Sequence, residues 1–370
     1  MKTINYLIVV FFLSLMVLSC SKDDPLGTNY EIPKPPVQIN EIDLVGLEGM
    51  KILSFDINPK EPYRILASTS DPYRRVYSTQ NYGKDWDVVI DNINSHFVTW
   101  DPQKPDIAYA SRLGRMGVGP HLLKSTDYGN SWFRSDSGIR VFDTHITRIS
   151  INSFNSDILY SLATVQPFST HIGYHLFKSI DGSKYWQRID IPGTPFDNMF
   201  GNAYVYDFVI NNTNPNIMFV GLSGISSYNP YNFGKTIDGG ITWLGKAISS
   251  ISYVYKLSNF NNLLLAISGN VLAISRNAGE SFEVINQEQI NRSKINDVLT
   301  FAEDLMFTSI ELRTNKDSSF VFYSTDKGYT WKQLGNDFDR KTVLDYDSKN
   351  NFLYVVKDGF KKGLYRYKIK

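Results

Sequence analysis

The sequence predicts an all-β fold, a single seven-bladed β-propeller of four-stranded sheets, on three observations. A short turn motif recurs six times, a strand-turn-strand pattern recurs seven times, and no helix-period segment of useful length follows residue 36. With 42% hydrophobic residues and 23 each of Tyr and Phe, the chain can bury a large core, and the aromatic bias favours strands.

The first 19 residues carry one early lysine, an apolar stretch from Tyr6 to Val17 and small residues before Cys20. This reads as a secretory signal, too short for a comfortable membrane span. The string VLSC around the sole cysteine resembles a bacterial lipobox, which implies that Cys20 is diacylated and becomes the mature N-terminus. One cysteine permits no disulfide within a monomer. Residues 20–36 are charged and Pro-rich, a stiff tether ahead of a propeller spanning 37–370. The Cys-Ser-Lys-Asp-Asp start resembles Bacteroidetes-type lipoproteins, which implies an outer-membrane, surface-exposed location. A net charge of +1 supplies no field for nucleic acid, so none is expected as a partner.

Each blade begins with an apolar strand, a polar or Pro turn and a second apolar strand, as in SFDINPKEPYRILAS, TWDPQKPDIAYAS and VINNTNPNIMFVGL. The turn motif follows, written around Ser/Thr-x-Asp/Asn-x-Gly-x-x-aromatic. Its copies are TQNYGKDW (Thr79 to Trp86), STDYGNSW (Ser125 to Trp132), SIDGSKYW (Ser179 to Trp186), TIDGGITW (Thr236 to Trp243), SRNAGESF (Ser275 to Phe282) and STDKGYTW (Ser324 to Trp331). Hydroxyl and carboxylate bond nearby backbone N–H groups, glycine supplies a backbone angle costly for other residues, and the ring buries beneath the turn. The motifs recur every 39 to 57 residues, one four-stranded sheet apart, so each joins the third and fourth strands of a blade. The seventh unit ends at Lys370 without one. The strand-like VQINEIDLV (Val37 to Val45) is therefore expected to supply its outer strand and close the ring.

These turns resemble the Asp-box, or BNR, repeat, and the chain resembles the Asp-box propeller superfamily over almost its whole mature length. That superfamily includes sialidases, xyloglucan-active endoglucanases, sortilin-type receptors and photosystem II assembly factors, so the resemblance implies the fold and leaves the activity open. The string YRIL (Tyr63 to Leu66) lacks the proline of the sialidase Arg-Ile-Pro signature, and Arg64 lies at a turn shared by every blade. Asp71 falls near the first-blade aspartate of the xyloglucan-active group without its Asp-x-Gly-Gly surroundings. Asp143 and Asp197 are the carboxylates that could partner it, and two facing carboxylates are what glycoside hydrolysis requires. The cysteine-rich module of sortilin-type receptors is missing. Single seven-bladed rings of the assembly-factor group match the size best and imply a non-catalytic scaffold.

Strand alternation places the turn motifs on one face with the loops between strands one and two. The loops between strands two and three, and between blades, share the other. Three long loops stand out on that second face, Ser111 to Leu123, Thr164 to Phe177 and Gly221 to Lys235, with the connection Ile191 to Asp207 beside them. All five histidines fall there, His96 and His145 between blades and His121, His171 and His175 in the long loops. The candidate binding patch comprises Arg112, Arg115, His121, His171, Tyr174, His175, Tyr204, Tyr228, Tyr231 and Phe233, rings and fixed polar groups suited to a glycan or a protein epitope. The spacing of His171 and His175 suits a metal only on a helix, so polar loop histidines are expected, with no metal and no cofactor. The expected function is a monomeric, non-catalytic surface lipoprotein that binds a protein or glycan through blades two to four and meets the membrane through its lipid anchor. The alternative is a glycoside hydrolase using Asp71, Asp143 and Asp197.

Overall fold

The computed structural model describes residues 39–93, 95–112, 121–139, 144–165, 173–189, 205–223, 231–249, 251–285, 293–302, 305–312, 319–334, 343–359 and 362–369. All regular structure among them is strand, arranged as seven antiparallel four-stranded sheets. In six sheets the strands follow chain order; in the last, the order is Ile39–Gly46, Gly363–Ile369, Phe352–Lys357, Leu344–Asp347. The outer strand of that blade is thus N-terminal sequence, paired antiparallel so that Ile39 lies opposite Ile369. The first strands of blades one to seven are Lys51–Ile57, Val98–Trp100, Thr144–Ile151, Val205–Ile210, Lys256–Phe260, Ser293–Ala302 and Leu344–Asp347. The first strand of blade seven packs against that of blade one, so the ring of seven sheets meets itself within Val37–Lys370, a single compact unit.

Burial follows position in the blade. Second strands are sandwiched between neighbouring sheets, and Ala108–Ser111, Met218–Leu222 and Leu263–Ser268 are buried at every residue. Fourth strands such as Asp87–Ile90 and Phe133–Arg134 form the rim and carry exposed side chains. The core is seven apolar clusters, one at each junction between adjacent blades. Leu66, Val76, Val98 and Trp100 join blades one and two, and Leu265, Ile274, Ile295 and Met306 join blades five and six. At six junctions the aromatic ring of the turn motif packs back onto the preceding blade, as Trp132, Trp186, Trp243, Phe282, Trp331 and Trp86 do. The junction between blades six and seven lacks such a ring and is filled by Tyr323, Tyr365, Tyr367 and Tyr346.

The turns are held by the bonds their residue types allow. The hydroxyls of Thr79, Ser125, Ser179, Thr236, Ser275 and Ser324 each accept the backbone N–H four residues on, at 2.8 to 3.1 Å. The side-chain oxygens of Asn81, Asp127, Asp181, Asp238, Asn277 and Asp326 each accept the N–H four residues beyond, at 2.8 to 3.0 Å. The third copy departs from the pattern, since Ser183 stands where the others carry glycine and holds φ at 71°. Its hydroxyl meets that of Ser135 at 2.6 Å, a buried contact that glycine could not make.

Gly83 shows how tightly a turn seats on its neighbour. A Cβ there would come within 2.3 Å of the Val45 carbonyl, in the strand that completes blade seven, and its φ is +85°. Gly83→Ala is therefore expected to destabilise the fold by about 2 kcal/mol or more. Urea unfolding checks this, with Gln80→Ala on the exposed tip of the same turn as the unchanged reference.

Candidate binding face

The inner strands carry a series of latches between blades. Asp56 Oδ2 accepts from Trp100 N at 2.6 Å and Thr99 Oγ1 at 2.8 Å, joining blade one to blade two. Asp207 Oδ2 accepts from Leu257 N at 2.8 Å, Asp297 Oδ2 from Leu344 N at 3.0 Å, and Asp345 Oδ2 from Ile57 N at 3.3 Å. Between blades five and six the acceptor is Ser258 Oγ, 2.9 Å from Thr300 N. Arg148 donates to Asp207 at 2.6 Å across blades three and four, and Lys256 pairs with Asp297 at 2.8 Å. At the remaining junction Ser156 Oγ donates to Asp101 Oδ1 at 2.6 Å.

Pairing slips register immediately before three latch residues, between Ile146 and Arg148, Val205 and Asp207, and Ile295 and Asp297. An extra residue in one strand re-aims its neighbours. In blade four the extra residue is Tyr206, which is turned out to 37% exposure while Asp207 stays buried.

Asp56 and Asp345 are hemmed in by protein, although each keeps some accessible surface. Burial pushes both carboxyls above the ordinary carboxylate range. The charge of Asp345 adds to the rise at Asp56, and that of Asp297 to the rise at Asp345. A raised carboxyl binds its proton more tightly in the folded chain than in the unfolded one. Its contribution to stability is whole below the ordinary carboxylate range and is lost as pH rises through the raised values. Asp56→Asn keeps an oxygen acceptor for Trp100 N and removes the charge. It is expected to flatten this loss, so urea midpoints at about pH 5 and about pH 9 should differ less in the variant than in the parent.

The face opposite the turn motifs carries a tyrosine shelf at the junction of blades four and five. Tyr206 and Tyr253 meet edge-on with centroids 6.2 Å apart, and Tyr253 and Tyr255 are tilted at 6.2 Å. The Tyr255 hydroxyl donates to the Ile295 carbonyl, and burial holds its titration above the usual tyrosine range. Tyr253 is 36% exposed, and its hydroxyl lies over the tight turn at Gly269, where an added Cβ would sit 3.4 Å away. Rigid, half-exposed rings of this kind present area at low entropic cost. None of the three was among the residues picked out from sequence. The outward turn of Tyr206 depends on the register slip, and the other two lie in an ordinary connection between blades.

Several expected site residues are placed differently. Phe233 begins a third strand and is fully buried, stacked on Phe219 at 5.9 Å and edge-on to Phe282 at 5.1 Å, so it is core and offers no surface for stacking. Its partner across the sheet is Gly221, and its ring lies in the junction between blades four and five against Gly279, where an added Cβ would come within 2.9 Å of it. His175 lies in strand Gly173–Ser179 opposite Ala163, and His145 in strand Thr144–Ile151 opposite Thr164, because that hairpin extends further than the loop expected from sequence. Tyr231 is half-buried against Trp243 and Leu222, its ring over Gly245. Arg112 and His121 bracket the blade-two loop, with Arg112 N donating to His121 O at 2.9 Å and His121 N to Asp136 Oδ2 at 2.7 Å. Asp71 and Tyr174 lie at strand ends opposite Lys51 and Thr164. Cys20, Arg115, Asp143, His171, Asp197, Tyr204 and Tyr228 lie outside the described residues. Among the described residues no three His, Cys, Asp or Glu side chains gather as a metal site.

No family model and no curated protein matches the sequence. Solved structures do match. YCF48 from Cyanidioschyzon merolae is 14% identical with a TM-score of 0.58, over 89% of this chain and 98% of that one. A structure of YCF48 bound to D1 peptide is 13% identical with a TM-score of 0.58, over 89% and 96%. The GH74 xyloglucanase from Xanthomonas campestris is 13% identical with a TM-score of 0.62, over 89% of this chain and 52% of that one, so the chain spans about half that enzyme's length. At these identities the likeness is one of fold, and that fold is an all-β propeller of seven blades.

Proposed function

We propose that the chain is an exported, lipid-anchored propeller without catalytic activity that binds an extended segment of a protein partner across the face opposite its turn motifs. The observation that carries this reading is the shelf of Tyr206, Tyr253 and Tyr255, fixed by ring contacts to one another and by the Tyr255 bond to blade six. Aromatic residues with one apolar face and one polar tip dominate the energetics of protein recognition. YCF48, which aligns over nearly its whole length, has been captured with a peptide, and this supports a protein ligand over a sugar. The xyloglucanase aligns over only about half its length, which is weaker support for an enzymatic reading.

The carboxylates near the ring centre have structural duties under this reading. Asp56, Asp207, Asp297 and Asp345 all accept backbone N–H groups from the next blade, which ties them to the junctions. Anchoring at Cys20 accounts for the apolar leader and the Pro-rich stretch after it.

The full chain should be screened against arrays of peptides and of glycans, with hydrolysis of oligosaccharides followed in parallel. Tyr206→Ala with Tyr253→Ala is expected to weaken peptide binding about tenfold or more, while Tyr329→Ala on the opposite face leaves it unchanged. Glycan binding without peptide binding, or release of sugar products, would overturn the proposal.

A further inference from the structure

The six turn motifs share one backbone geometry, so each serves as a control for the others. At the second position four carry polar or charged residues, Gln80, Thr126, Arg276 and Thr325. The other two, in blades three and four, carry Ile180 and Ile237, which are 71% and 66% exposed. Around them stand Tyr185 at 59%, Ile241 at 74% and Leu244 at 60%. The two turns are tied together, since Lys178, just ahead of the first, donates to the Gly239 carbonyl in the second at 3.1 Å, and Tyr160 OH donates to the same carbonyl at 3.2 Å. No feature of the turn requires an isoleucine at its tip, because the same bonds form with glutamine or threonine there. Four of these large apolar side chains stand on two joined turns and the fifth opens the strand that follows the second, an exposed apolar group of the kind that marks an interaction surface.

The place where the chain enters the ring says what this patch meets. Ile39 starts the outer strand of blade seven opposite Ile369, the end of that blade's third strand. In every other blade the end of the third strand leads into the turn motif, so the N-terminal segment joins the ring on the face that bears Ile180 and Ile237. From Cys20 to Ile39 are 19 residues, with a reach of at most about 65 Å. In a ring of seven, blades three and four lie across from blade seven. A chain tethered at Cys20 would therefore enter the ring on the same face as the apolar patch, across the ring from it. Lys184 is exposed beside Tyr185, where its ammonium can reach lipid phosphates while apolar neighbours enter the interface.

We infer that Ile180, Tyr185, Ile237, Ile241 and Leu244 form a second membrane contact, seating the turn-motif face on an anionic lipid bilayer and presenting the tyrosine shelf away from it. The orientation rests on the lipid-anchor reading above; the patch's affinity for a bilayer does not, and the two are tested separately. The chain Val37–Lys370 contains all seven sheets and all seven apolar clusters, and it lacks both the apolar leader and Cys20. It is expected to float with vesicles of phosphatidylethanolamine and phosphatidylglycerol. The combined variant Ile180→Gln, Ile237→Thr and Ile241→Asn installs the residue types that Gln80, Thr126 and Asn130 supply in equivalent turns, so folding should be preserved. It should reduce the bound fraction about tenfold. Absence of flotation by Val37–Lys370, or flotation unaffected by the triple change, would overturn the inference. Mass spectrometry of the full chain for lipid on Cys20, and loss of membrane association in Cys20→Ser, report on the anchor alone.

Discussion

Each blade is a separate sheet, and the ring depends on what crosses between sheets. The crossing interaction is a polar side chain on or just beyond one inner strand bonded to the inner strand or turn of the next. Asp56, Asp207, Asp297 and Asp345 do this with carboxylates, Ser258 with a hydroxyl, and Asp101 with an oxygen that takes the Ser156 hydroxyl. A side-chain acceptor satisfies an inner-strand backbone N–H that would otherwise be stranded where neighbouring sheets meet. The apolar clusters supply the bulk of the cohesion further out, and the latches give each junction its register.

The same turns that build the rim also couple neighbouring blades. A ring from each motif lies on the preceding sheet, and the Lys124 ammonium of blade two reaches the Gly182 carbonyl of the blade-three turn at 2.7 Å. Blade seven, without a turn motif, replaces this with tyrosines and with the N-terminal strand, whose Val45 carbonyl accepts from the Trp86 indole at 3.3 Å. The start of the folded chain is thereby stapled to both the last blade and the first.

Faces of the ring divide the labour. Turn motifs have their acceptors and donors satisfied internally, which frees their tip residues to vary, and Ile180 and Ile237 are such variations. The opposite face holds the entrances to the inner strands, where register slips re-aim side chains, and the exposed Tyr206 is a by-product of aiming Asp207 inward. A device for holding blades together thus also shapes the surface offered to a partner.

The number of blades, their strand composition and the two faces were legible from sequence because they are properties of local, repeated patterns. A hydroxyl, an amide or carboxylate, a glycine and an aromatic at fixed spacing specify a turn wherever they occur, and period-two alternation specifies the strands around it. Ser183 shows the margin of such reading, since it occupies a glycine position through a contact to Ser135 that lies 48 residues away. The binding face was less legible. Phe233 reads as an exposed loop aromatic until the pairing with Gly221 draws it into a strand, and Tyr206 reads as a strand residue until a one-residue slip expels it. The Asp56 and Asp345 carboxyls are brought together across 289 positions, at the junction where the chain's two ends meet. Local patterns determine which segments are strands and turns. Only the ring closing on itself decides which side chains those strands bury, expose or set against one another, because those contacts join residues that no spacing in the sequence relates.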